Sequence, residues 1–182
     1  IGIPPMLSTV FFPELLTAFH QDYPEIAVVL EEYGSVRACN LVQNDTLDLA
    51  LVNMEQYNID KFHNVVLAND QVVFCVNKDH RLADKEIVTT KEMSKELLIF
   101  FNADSVQNQL LKTRFEMDGY IPNIVMRSSQ IYTTLQFIKT GKYSCFLYSS
   151  MLDKFTDSEI TGIPLNPPIH IKIGIIWKKG KY

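Results

Sequence analysis

Hydrophobic positions along this chain change period repeatedly, and each change predicts a switch between strand and helix. Residues 1–3 have a strand pattern and lead into the turn Pro4-Pro5. Val10, Phe11, Leu15 and Phe19 then recur at helical spacing, which predicts a helix capped by Ser8 or Thr9. Pro13 has no N–H to give, so that helix starts only a few residues upstream or kinks there, and Tyr23-Pro24 ends it. Residues 26–32 carry β-branched side chains and predict a strand. Gly34-Ser35 opens a second helix with Ala38, Leu41 and Val42 inward. Residues 47–52 are nearly all apolar, the pattern of a strand buried in a parallel sheet. A β-α-β-α-β order implies parallel strands with helices on their faces. Residues 65–68 and 72–76 then predict two strands, whose link Asn69-Asp70-Gln71 suits antiparallel neighbours.

After the polar stretch 77–85 the same order returns. Strands are predicted at 97–101, 124–126 and 144–147. A helix at 105–118 turns Val106, Leu110, Leu111 and Phe115 inward and stops at Gly119; another, capped by Ser129, turns Ile131, Leu135 and Ile138 inward and ends at Gly141. Residues 169–177 form a last long strand. The expected fold is α/β, with two Rossmann-like lobes and a central cleft. Residues 1–73 with 177–182 form one lobe and 74–176 the other, with 72–76 and 171–177 as the two crossover strands. Ligands of parallel sheets sit beyond the carboxyl ends of the strands. Helix N-termini directed there offer free N–H groups and partial positive charge, which suit a carboxylate or another anion.

Charge and composition narrow the function. The net charge of −4 lacks the basic excess of a domain that grips DNA phosphates, and the one basic cluster, Lys178, Lys179 and Lys181, reads as a solvated chain end. Any action on DNA therefore requires another part of the polypeptide. Cys39, Cys75 and Cys145 are far apart in largely apolar segments and read as buried free thiols in a reducing cytoplasm. His20, His63, His80 and His170 share no metal spacing, so no metal and no cofactor are expected. Phosphate-binding and nucleophile-elbow motifs are missing, and no set of carboxylates converges for acid–base work; an enzyme is not expected. No apolar run reaches the ~20 residues of a membrane span. The abrupt start at Ile1-Gly2-Ile3 reads as a fragment of a longer protein.

Ordered short motifs add a family resemblance. Ile1-Gly2-Ile3-Pro4-Pro5, Phe12-Pro13-Glu14-Leu15-Leu16, Phe19 and Tyr23-Pro24 are followed by Leu47-Asp48-Leu49-Ala50-Leu51-Val52. Phe74-Cys75-Val76, Asp79-His80-Arg81-Leu82-Ala83, Ile163-Pro164-Leu165 and Trp177-Lys178 come later in the same order. Together these resemble the effector domain of LysR-type transcriptional regulators. The resemblance implies a type II periplasmic-binding-protein-like fold and a small-molecule effector. It also implies an N-terminal winged helix-turn-helix that alone touches DNA, and a homodimer or tetramer through lobe I to lobe II contacts. The loop at Tyr148 departs from the family pattern. A solute-binding protein of a transporter, with the same fold, is the alternative reading.

Positions that follow a strand and open, or nearly open, a helix are the expected ligand contacts: Ser8, Thr9, Gly34, Ser35, Asn102, Ser128 and Ser129. Phe101, Phe146 and Tyr148 are expected to supply an apolar wall. For pairing, the first helix and residues 26–32 are expected to meet 105–118 and 124–126 of a second copy, since Val28, Leu30 and Val29 make both faces of that strand apolar.

Overall fold

The computed structural model describes residues 1–55, 57–155 and 158–181. Two compact units form: Ile1–Asn69 with the chain from Ile171 onward, and Asp70–His170. The chain thus passes from the first unit to the second at 69/70 and returns at 170/171, a few residues upstream of the expected boundaries.

The first unit contains β1 (Gly2–Ile3), α1 (Pro5–Asp22), β2 (Glu31–Glu32), α2 (Ser35–Gln43) and β3 (Leu49–Asn53). β1 pairs in parallel with both β2 and β3, as the alternation predicted. The core on the α2 side gathers Ala38, Cys39 and Val42 against Ala50, Val52 and Phe62. Helical spacing explains why these three α2 residues share a face.

Four details differ from the sequence-based expectation. First, α1 begins at Pro5, with extended Pro4 as its cap residue, so neither Ser8 nor Thr9 is the cap. Pro5 occupies the first helical position, where the missing N–H costs nothing. The helix runs on through Pro13, and it buries Met6, Leu7 and Val10, leaving Leu15 and Phe19 exposed. Second, the strand expected at 26–32 shrinks to Glu31–Glu32. Its register with β1 pairs Gly2 with Glu31 and Ile3 with Glu32, and the Ile1 amine carries the contact back to Val29 O at 2.7 Å. Third, 65–68 and 72–76 are not two strands. They belong to one strand, β4 (Phe62–Asn77), which runs straight through Asn69-Asp70-Gln71. That tripeptide holds no glycine and no residue of positive φ, and Asp70 is engaged by serines of the second unit rather than by a local turn. Fourth, Ser129 is not a cap; Gln130 is, and the Ser128 hydroxyl oxygen accepts the Gln130 N–H at 3.1 Å.

The second unit follows β4 with α3 (Thr90–Met93), β5 (Leu97–Phe100), α4 (Val106–Met117), β6 (Ile124–Arg127), α5 (Ile131–Lys139), β7 (Tyr143–Tyr148), α6 (Ser149–Lys154) and β8 (Ile160–Pro164). β5 lies between β6 and β7, parallel to both. The second half of β4 pairs antiparallel with β7 and β8. Ile131, Leu135 and Ile138 of α5 are buried as their spacing predicts. α4 ends at Gly119, whose φ of 74° only glycine adopts without strain. β9 (His170–Lys178) carries the chain back and pairs antiparallel with β3. Gly174 lets β9 lie close to the first half of β4, because a Cβ there would lie 2.5 Å from Val65 O.

Candidate functional site

In the first unit the carboxyl ends of β1, β2 and β3 meet the starts of α1 and α2. Ser8 Oγ lies 2.8 Å from Pro5 O and 2.9 Å from Glu32 Oε1. A hydroxyl has one proton, and here two acceptors already share it. Thr9 Oγ1 donates to Pro5 O at 3.0 Å. What the start of α1 offers an anion is therefore backbone: Ser8 N–H begins the helical ladder to Pro4 O, so Met6 and Leu7 N–H have no carbonyl one turn back. Gly34 caps α2, and buried Ser35 accepts the Asn53 N–H at 3.0 Å, tying the helix start to the end of β3. Tyr33 O–H donates to Glu31, which holds its proton and raises its pKa; the Arg37 guanidinium sits 4.6 Å over the Tyr33 ring.

In the second unit the corresponding ends are those of β5, β6 and β7. The segment leaving β5 is clamped by Asn108, which is 2% exposed. Its Oδ1 accepts Phe101 N–H at 3.2 Å, and its Nδ2 donates to Phe101 O at 2.6 Å and Asn102 O at 2.8 Å. Ser128 N–H donates to Phe100 O at 3.0 Å, which brings the end of β6 alongside. Arg127 Nη1 donates to Phe101 O at 3.4 Å, close to the limit of a hydrogen bond, so a charged guanidinium stands at this end. Asn102 is exposed and Ser128 and Ser129 are half-buried. Phe101, Phe146 and Tyr148 are all buried, and Phe146 packs between the Phe74 and Phe100 rings at 5.4 and 5.5 Å.

Sequence reasoning missed Gln107 and Asn108, both buried polar residues in the first turn of α4. The available signal was two adjacent amides in the first turn of a helix whose inward positions are otherwise apolar. It also missed Asp70, whose carboxylate accepts the hydroxyls of Ser149 and Ser150 at 2.5 Å each. The C-terminal lysines are not simply solvated: Lys178 pairs with Asp45, and Lys181 lies 3.0 Å from Asp48.

A cavity of about 410 Å³ opens elsewhere in the first unit, lined by Phe12, Leu15, Phe19, Val28, Leu49 and Ile175 among others. None of the expected ligand contacts lines it. Among the described residues no cluster of His, Cys, Asp or Glu could hold a metal ion, and no helix is long and apolar enough to cross a membrane.

Parallel strands that end on helix starts in two α/β units define a ligand-binding domain of the periplasmic-binding-protein-like class. The chain belongs to the LysR substrate binding domain family, whose model matches residues 1–182. It is 30% identical to the HTH-type transcriptional regulator YwbI of Bacillus subtilis, covering 100% of this chain and 60% of that protein. The Bacillus subtilis transcriptional dual regulator GltC is 21% identical, again over 100% of this chain and 61% of its own length. The chain thus spans about three-fifths of these relatives. Among solved structures, the Synechocystis CcmR regulatory domain in complex with 2-PG superimposes with a TM-score of 0.86 at 21% identity, covering 100% of this chain and 87% of that one. The effector binding domain of QuiR in complex with shikimate gives 0.80 at 17% identity, with the same coverage. At these identities the two structures establish the fold.

Proposed function

We propose that this chain is the effector-sensing part of a LysR-type DNA-binding transcriptional regulator, working in the cytoplasm and without catalysis. One observation carries the reading: the family match runs through all of residues 1–182, and relatives matching over that whole length are longer HTH-type regulators. A net charge of −4 supports DNA contact through a separate domain of the polypeptide. The effector is a small anion, for which the first-turn N–H groups of α1 and α2 in the first unit, and those of α4 and α5 in the second, are the candidate donors. Gly34, Ser35, Asn102, Ser128 and Ser129 stand beside those turns, with Ser8 and Thr9 in the first turns of α1. The complexes of the CcmR and QuiR domains support a small-molecule ligand for a domain of this fold.

Copies of the domain pair through apolar surface. In the first unit Leu15, Phe19, Val29 and Leu30 are exposed, and in the second Met117, Ile121 and Val125 are. A homodimer or tetramer that sets the first patch against the second covers both.

The experiment is a thermal-shift and calorimetric screen of small carboxylates and phosphates on the chain. Hits are then tested for their effect on operator binding by the full-length regulator. The expected result is a ligand that stabilises the domain and changes DNA affinity of the whole protein, while the isolated domain binds DNA weakly and without sequence preference. Tight, sequence-selective DNA binding by the isolated domain would overturn the reading.

A further inference from the structure

The amide of Gln107 holds a hydrogen-bond acceptor that nothing in the described chain satisfies. Gln107 is the second residue of α4 and is 1% exposed. Its Nε2 donates to Phe146 O at 2.9 Å. A backbone carbonyl can only accept, so this contact fixes which way round the amide lies. Oε1 is left shielded from solvent and, among the described residues, has no hydrogen-bond partner. Buried acceptors of this kind are paired in the large majority of proteins.

The position of the orphan gives it meaning. It lies where α4 starts and where β5 and β7 end: the Phe100 ring stands edge-on to Phe146 at 5.5 Å, and the neighbouring Asn108 holds Phe101 and Asn102. The first intrahelical bond of α4 is Gln109 N–H to Ser105 O, so the N–H groups of Val106, Gln107 and Asn108 have no carbonyl one turn back. The first turn of α4 therefore carries both unpaired backbone donors, suited to an anion, and the residue with the lone buried acceptor. A simple anion such as acetate answers the donors and has no proton for Oε1. A molecule with a carboxylate and a hydroxyl answers both.

We infer that Gln107 determines specificity for the molecule this domain senses, and that this molecule is a hydroxy acid whose hydroxyl donates to Gln107 Oε1. The inference rests on the ligand-sensing reading above and deepens it. An ordered water on Oε1 is the competing occupant, and it predicts no preference for a hydroxyl.

The test is calorimetric titration with matched pairs: malate against succinate, lactate against propionate, shikimate against cyclohex-1-ene-1-carboxylate. The wild-type chain binds at least one hydroxy acid about tenfold or more tightly than its deoxy partner, the usual order of effect for one unanswered buried polar group. Gln107→Met keeps the length, removes the acceptor, and brings that ratio close to unity. Gln107→Asn, which withdraws the carbonyl by one methylene, does the same if the Met variant fails to fold. Equal binding of both members of every pair overturns the inference while leaving ligand sensing intact. A preference that survives in the variants also overturns it. If no acid of either kind binds at millimolar concentration, the inference falls and the anion reading falls with it.

Discussion

Asn108→Leu is the sharpest probe of how the second unit holds its candidate site. The side chain is 2% exposed and makes three hydrogen bonds, to Phe101 N–H, Phe101 O and Asn102 O. Leucine branches at Cγ as asparagine does, so it fills a similar shape with bulkier methyl groups, and all three bonds are lost. Phe101 O keeps its 3.4 Å contact with Arg127. Exposed Asn102 lets water reach its carbonyl. Phe101 is 7% exposed, so its N–H is left buried with no partner, at a cost of about 1–3 kcal/mol. The two lost carbonyl bonds add roughly 1 kcal/mol net, and the new apolar contacts return a fraction of that. The expected destabilisation is about 2–3 kcal/mol, or a fall in Tm of roughly 4–12 °C for a domain of this size. Differential scanning calorimetry, with circular dichroism to confirm a cooperative transition, reads it directly. Ligand affinity should fall as well, because the segment carrying Phe101 and Asn102 is no longer fixed. A drop in Tm below roughly 2 °C would refute the account of Asn108 as the clamp of this segment.

Other outcomes follow from single groups. Lys85 pairs with Glu92, whose Oε2 also accepts the Thr89 N–H and hydroxyl, and these hold its pKa down from 4.5 to about 2. A depressed carboxylate contributes stability above its unfolded pKa and loses it as pH falls through its folded one. The Tm gap between wild type and Glu92→Gln should therefore be full at neutral pH and close progressively between pH 4.5 and about 2. Burial pushes the Cys39 thiol up to about 12 and the Cys145 thiol well up, so in the folded chain neither should react with a disulfide reagent on the timescale seen after denaturation. Rapid labelling of native protein would contradict this. Leu30→Glu places a charge on the exposed apolar patch of the first unit, and small-angle scattering should show a shift toward monomer with the monomer fold kept. Thr9→Val should leave Tm nearly unchanged, since Thr9 is exposed and its hydroxyl bonds Pro5 O within its own first turn, and should weaken carboxylate binding if that hydroxyl orients the ligand.

Patterns confined to one element were readable from the residues. The apolar spacing of α5 and the stops at Gly119 and Gly141 depend on neighbours a few positions apart, the family motifs lie in order along the chain, and the parallel pairing of β1 with β2 and β3 follows from the alternation of strand and helix. Tertiary structure decided whatever depends on a distant partner. How much of residues 26–32 forms a strand depended on pairing with β1, nearly 30 positions away. Asn69 and Asp70 favour a turn locally, yet the segment runs straight within β4, and serines some 80 positions away bind Asp70. The face that α1 buries shifted to Met6, Leu7 and Val10 because the helix started earlier than its hydroxyl residues suggested. At the candidate site, the sequence pointed to the strand ends and helix starts, because those positions follow from the alternation of elements. It did not point to Asn108 and Gln107, because a buried amide inside a helix is marked by what it bonds, and Phe101, Asn102 and Phe146 reach these two only once β5, β7 and α4 have packed together.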